Sequence, residues 1–252
     1  DFLEIISAHI TKGGCGKTTT VQALAEILGK EYGKRVLCCD TDPQCNLTTV
    51  SGINIMDCQQ HNLYTLLKGQ STPADCIIKT KYYDVIPSSL LLAYADVEFN
   101  VLGREYLLKE RLESLNYDVI LIDTPPSLGL LNIMSLTASN KVIIPTECSY
   151  LAMVGLEQLF NTIQSVCKHS NKDLTILGIL LVKYNSRTNL NVAILRSLEN
   201  VATQMHTHVF NSKIRETVKI REAQSQQCPI LDWDPSCSAV SDYLNFAKET
   251  VL

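Results

Sequence analysis

Four short, nearly unbroken apolar runs recur along the chain: RVLCCD at 35–40, YDVILID at 117–123, KVIIP at 141–145 and LTILGILLV at 174–182. Strands of that composition are buried on both faces, which is the condition of a parallel sheet covered by helices. The stretches at about 104–115, 128–138, 151–168 and 189–204 carry helical spacing of apolar residues instead. A first strand is expected over residues 2–10 (FLEIISAHI), then a helix over 17–30, where Val21, Leu24, Ala25 and Leu28 share a face and Gly33 is the stop. YYDVIPSS, 82–89, offers another strand. Alternating strands and helices predict an α/β fold: a doubly wound, mainly parallel sheet with helices on both faces, and ligands at the carboxyl ends of the strands. No repeat, low-complexity tract or linker interrupts the 252 residues, so the expected organisation is one domain over residues 1–252.

Composition narrows the function classes. Hydrophobic residues are 46% and charged residues 19%, enough apolar material for a large core and too little charge for a disordered chain. The formal net charge is -4, from 22 Lys+Arg against 26 Asp+Glu, so nucleic-acid binding would need a local basic patch rather than the whole surface. No apolar run approaches the roughly 18 residues that span a bilayer, and the N-terminal segment lacks signal-peptide character. The 10 cysteines contain no C-x-x-C pair, and most are expected to be buried thiols of a cytoplasmic protein. The five histidines show no metal-binding spacing.

HITKGGCGKTTT, 9–20, lies between the first expected strand and the first expected helix. Its end fits the phosphate-loop pattern G-x-x-x-x-G-K-[ST] through Gly16, Lys17 and Thr18. The pattern's first glycine would fall at Thr11, and Lys12 is an additional lysine, so the loop is a variant. Gly13, Gly14 and Gly16 let backbone N–H groups turn toward an anion, aided by the start of the helix. In such a loop Lys17 reaches the β and γ phosphates and the Thr18 hydroxyl holds Mg²⁺. The expected nucleotide-binding set is Gly13, Gly14, Cys15, Gly16, Lys17, Thr18 and Thr19. Asp40 and Asp123 each end an apolar strand, and Asp42 follows in CCDTDPQCN. Carboxylates there serve a magnesium site or orient an attacking water, and Asp123 is the strongest Walker B candidate.

KGGCGKTTT, CDTDPQCNLT, IDTPPSLGLLNIMSL, VIIPTECSYLAMVGLEQL and KIREAQS occur in order. Together they resemble the ParA/Soj branch of the deviant Walker A ATPases, from residue 5 to about 248. The resemblance implies an ATP-hydrolysing, Mg²⁺-dependent partition switch for plasmids or chromosomes. ATP would close a homodimer that binds double-stranded DNA without reading sequence, and a ParB-type activator would release it by stimulating hydrolysis. The implied location is cytoplasmic and nucleoid-associated, away from membranes. Lys12 matches the lysine that crosses the dimer interface to the partner's nucleotide, which makes Lys12, Lys17 and Asp42 the implied catalytic residues. Thr18, Asp123 and Asp42 are the implied metal residues; Asp40, Pro125 and Pro126 match the switches. Asn185 and Arg215 match base-side nucleotide contacts, and Arg187, Lys219 and Arg221 match DNA contacts. An alternative is a positioning ATPase resembling MinD, acting on a membrane or a protein cargo; the ending VSDYLNFAKETVL, with one lysine and two acids, argues against the membrane form.

Overall fold

The computed structural model describes residues 3–10, 14, 16–185 and 189–251. Its eight strands are β1 (Glu4–Ala8), β2 (Val36–Asp40), β3 (Ile78–Lys79), β4 (Asp84–Ile86), β5 (Val119–Asp123), β6 (Lys141–Thr146), β7 (Thr175–Tyr184) and β8 (Val209–Arg215). They form one sheet in the order β3-β4-β2-β5-β1-β6-β7-β8. Every pairing is parallel except β3 with β4.

The apolar runs divide their side chains between the two faces, as the two-residue period of a strand requires. Ile6, Val36, Cys38, Val119 and Leu121 join one core cluster, with the helices Lys17–Lys30 and Ser238–Val251. Ile5, Leu37, Cys39, Ile120 and Ile122 join a second cluster on the opposite face, with Leu130, Leu131 and Met134 of the helix Leu130–Ala138. A third cluster surrounds β6 and β7, where the helix Tyr150–His169 packs Leu156, Leu159 and Ile163. Burial on both sides explains why these strands read as continuous apolar runs. One approach is very close: a Cβ at Gly29 would lie 1.9 Å from the carbonyl oxygen of Tyr82, so the helix can cross that segment only with glycine there.

The expected strands and helices appear, with shifted bounds. The first strand runs 4–8 rather than 2–10, and the 104–115 helix is a 3₁₀ turn, Arg104–Tyr106, followed by a short helix, Leu107–Leu112. Strand β8 and the closing helices Val218–Ser225 and Ser238–Val251 add to the expected pattern.

Strand register positions the site. Asp40 pairs with Asp123, and Ala8 pairs with Asp123, so the carboxyl ends of β2, β5 and β1 are level. The start of the first helix lies beside them, where the Thr18 hydroxyl donates to Asp123.

Candidate nucleotide site

Gly16 is the N-cap of the helix Lys17–Lys30, at φ 73 in the left-handed region that only glycine adopts without strain. Gly14 is also left-handed, at φ 81. No acid occupies the first turn of this helix. Among the described residues no side chain caps its first-turn N–H groups, and with the helix dipole they form an anion-binding end. Lys17 is 8% exposed, a buried cation at the same point. Lys12, Gly13 and Cys15 lie outside the described residues.

The two Asp-Thr pairs have a shared construction. The Thr41 hydroxyl donates to the backbone oxygen of Asp123 at 2.8 Å, and the Thr124 hydroxyl donates to the backbone oxygen of Ala8 at 2.6 Å. Each threonine fastens its strand end to the next one, which leaves the preceding aspartate side chain at the carboxyl edge. Asp123 is fully buried and its Oδ2 accepts from the Thr18 hydroxyl at 2.6 Å. Asp123 Oδ1 is buried with no partner among the described residues.

Asp40 faces inward. Its Oδ2 accepts from the Thr48 amide at 2.8 Å and the Thr48 hydroxyl at 2.7 Å, and its Oδ1 accepts from the Asp42 amide at 3.1 Å. It thereby anchors both the turn after β2 and the short helix Asn46–Val50. Asp42 accepts from the Gln44 amide at 2.9 Å, and the Ser88 hydroxyl donates to its backbone oxygen at 2.6 Å. Burial, and then the Asp123 charge, pushes the Asp40 carboxyl upward; burial also raises Asp123, opposed first by Lys17 and then by the Thr18 hydroxyl. A bound divalent cation reverses that logic by favouring the ionised forms.

The donor set suits Mg²⁺. A hydroxyl and carboxylates are hard oxygen ligands, and the unpartnered Oδ1 of Asp123 stands beside the Thr18 hydroxyl. Among the described residues no group of three His, Cys, Asp or Glu forms a metal cage. A metal here would take its remaining ligands from phosphate and water, as magnesium does in phosphoryl-transfer sites.

A buried pair supports the segment after β5. His9 Nδ1 donates to Asn132 Oδ1 at 2.6 Å, while the Asn132 amide donates to the Pro125 carbonyl at 2.9 Å and to that of Ser127. Burial first of all, with the Lys17 charge adding, holds His9 down at about 3, so the ring is neutral at physiological pH. Residue spacing alone does not mark His9 and Asn132 as partners, because they are 123 positions apart.

Of the remaining expected residues, some meet at one cavity and others do not. Arg215, Thr19 and Gly16 line a cavity of about 90 Å³ that Val182 and Tyr243 also line. The Arg215 guanidinium lies on Asp242, with Nε to Oδ2 at 2.9 Å and a terminal nitrogen to Oδ1 at 2.7 Å. Thr19 Oγ1 accepts from Gln224 Nε2 at 3.2 Å. Asn185 follows β7 and is exposed. Lys219 and Arg221 are exposed on the helix Val218–Ser225, but Lys219 pairs with Glu222 at 3.0 Å and Arg221 faces Glu216 at 3.9 Å. Arg187 lies outside the described residues. Pro125 and Pro126 sit in the segment between β5 and the helix Leu130–Ala138.

A family model described as an AAA domain matches residues 3–176. Sporulation initiation inhibitor protein Soj of Bacillus subtilis is 43% identical over 251 residues, covering 98% of this chain and 97% of the relative. The chain belongs to the ParA/Soj family. Chromosome partitioning protein ParA of Caulobacter vibrioides is 34% identical over 260 residues, covering 99% of the chain and 94% of that protein. A solved structure of cobyrinic acid a,c-diamide synthase from Mycobacterium smegmatis, with bound ATP analog and magnesium, superposes with a TM-score of 0.84 at 32% identity, covering 98% of this chain and 93% of the other. The ParA/Soj chain described here is thus a P-loop ATPase by family, built on a fold that its relatives use for more than one named activity. No helix among the described residues is long and apolar enough to cross a membrane.

Proposed function

We propose that residues 1–252 work as a single ATPase domain whose ATP-bound form is a sandwich dimer that holds DNA without reading its sequence. A ParB-type activator then releases the DNA by stimulating hydrolysis. The observation that carries the ATPase part is the junction of the uncapped helix, Lys17, and the Thr18–Asp123 hydrogen bond at 2.6 Å. The names of the Soj and ParA relatives support the partition reading.

The residues divide the work by position. The N–H groups from Gly16 onward and the Lys17 ammonium bind and orient the phosphates. Thr18 and Asp123 would hold Mg²⁺, directly and through water. When bound, the metal neutralises charge on the β and γ oxygens. Asp42 is held by Gln44 and Ser88 in the turn after β2, where its carboxylate orients the attacking water. Asp40 keeps that turn in place through Thr48. Lys12 supplies positive charge across the dimer interface to the partner's nucleotide, so hydrolysis and dimerisation are tied. The 90 Å³ cavity beside Gly16 and Thr19, lined also by Arg215, receives the base side, with Asn185 as the further base contact. Arg187, Lys219 and Arg221, doubled in a dimer, meet DNA phosphates.

The pairing of Lys219 with Glu222 and of Arg221 with Glu216 favours a second reading, in which the same switch moves a protein cargo. DNA binding measured with ADP, with ATP and with ATP plus Lys12→Ala, at two salt concentrations, separates the two. The partition reading predicts salt-sensitive, sequence-independent binding with ATP and intact Lys12 alone. It also predicts that Lys219→Ala with Arg221→Ala lowers the salt slope by about 1 for each DNA phosphate no longer neutralised. ATP-driven dimers that bind no DNA would favour the protein-cargo reading.

A further inference from the structure

Lys183 stands in the left-handed region at φ 52, next to the last residue of β7. The register of β7 against β8 shifts between Val182 and Tyr184, so Lys183 stands at a bulge that frees it from the ladder for other surroundings. The surroundings are the phosphate loop. Lys183 Nζ donates to the backbone oxygen of Gly14 at 2.8 Å and pairs with Glu147 Oε1 at 2.7 Å. Its neighbour Val182 closes the other side of the loop, with Cγ2 3.3 Å from the place a Cβ would take on Gly16. The end of β7 therefore grips the loop at two points, and Glu147, just past the end of β6, fixes the ammonium that makes one of them.

The consequence follows from the peptide unit. In a trans peptide the N–H lies opposite the carbonyl, so an ammonium that holds one carbonyl of a loop also sets the direction of the N–H in the same peptide unit. We propose that Lys183 is a positioning residue for the phosphate loop: its ammonium, held by Glu147, fixes the Gly14 carbonyl and so holds that peptide unit in one orientation before phosphate binds. This rests on the ATPase reading of the same site. Such a residue acts equally on bound substrate and transition state, so it sets affinity rather than the chemical step.

The test measures Mg-ADP affinity by calorimetry, steady-state ATPase kinetics and thermal unfolding in Lys183→Met, Lys183→Gly, Lys183→Arg and Glu147→Gln. Lys183→Met is expected to weaken ADP roughly 3- to 10-fold, the worth of one hydrogen bond. KM for ATP rises by a similar factor while kcat stays within about twofold. Lys183→Gly is the discriminating variant: glycine relieves the left-handed strain, so Tm holds or rises, yet ADP weakens as in Lys183→Met. Lys183→Arg restores most of the affinity, because its donors still span Glu147 and the carbonyl. Glu147→Gln has a smaller effect that vanishes in the Lys183→Met background, as expected for one coupled unit. Wild-type affinity in both Lys183→Met and Lys183→Gly would overturn the proposal alone. A wild-type protein that binds no ADP would overturn the ATPase reading, and this proposal with it.

Discussion

At the residue scale, the site separates residues that bind nucleotide from those that promote its hydrolysis. On the proposed function Asp42 belongs to the second group: its hydrogen bonds are to Gln44 and Ser88, which hold the turn after β2. Asp42→Ala should keep nucleotide affinity near wild type and lower kcat by about 10²–10⁴, the usual worth of a group that handles the nucleophile's proton; single-turnover hydrolysis checks it. Glu26 makes a different prediction. It is buried in the first helix and accepts from the Leu231 amide at 3.1 Å, and burial, its largest influence, pushes its carboxyl up to about 7. The folded state thus keeps a proton that the unfolded state releases near 4.5, so stability falls as pH rises from about 4.5 through 7 and does not return above it. Glu26→Gln should remove that slope, a difference of at most about 3 kcal/mol, read by urea unfolding at pH 5 and pH 8. The sequence marks Lys17 and Thr18 through a strand, a glycine-rich loop and a helix, and Asp123 through the end of an apolar run. The Thr41 and Thr124 fastenings, the His9–Asn132 pair and the Lys183 contact were not legible there, because each depends on a partner far away in the chain.

At the scale of elements, legibility follows burial. Strands β1, β2, β5, β6 and β7 lie inside the sheet and carry apolar side chains on both faces, so their runs stand out. Strand β8 is an edge strand whose VFNSKIR alternates buried Phe210 and Ile214 with exposed positions, a weaker signal. Strand β3 has two residues and no pattern to read. The closing helix, Ser238–Val251, buries Tyr243, Phe246 and Ala247 against the first helix and β8, and its short apolar stripe carries few marks of its own. The first helix passes close to the backbone of Tyr82 at Gly29. Because the obstacle is a carbonyl rather than a flexible side chain, Gly29→Ala should destabilise the protein by about 3 kcal/mol, with a lowered Tm and unchanged nucleotide affinity in the protein that remains folded.

For the whole molecule, one sheet carries every part of the candidate site. The level ends of β1, β2 and β5 supply Asp40 and Asp123, and the start of the first helix supplies Gly16, Lys17 and Thr18. The ends of β6 and β7 supply the Glu147–Lys183 grip. On the proposed function, a chain of net charge -4 has to meet DNA through a local patch, which a dimer would double. The central claim is that ATP, acting through this site and Lys12, closes that dimer. Sedimentation velocity tests it most directly, using Asp42→Ala so that ATP persists, with and without the added change Lys12→Ala. The account predicts a monomer with ADP, a dimer with ATP, and a monomer again with ATP when Lys12 is replaced. The same sedimentation coefficient with ADP and with ATP, at concentrations that saturate the site, would contradict it.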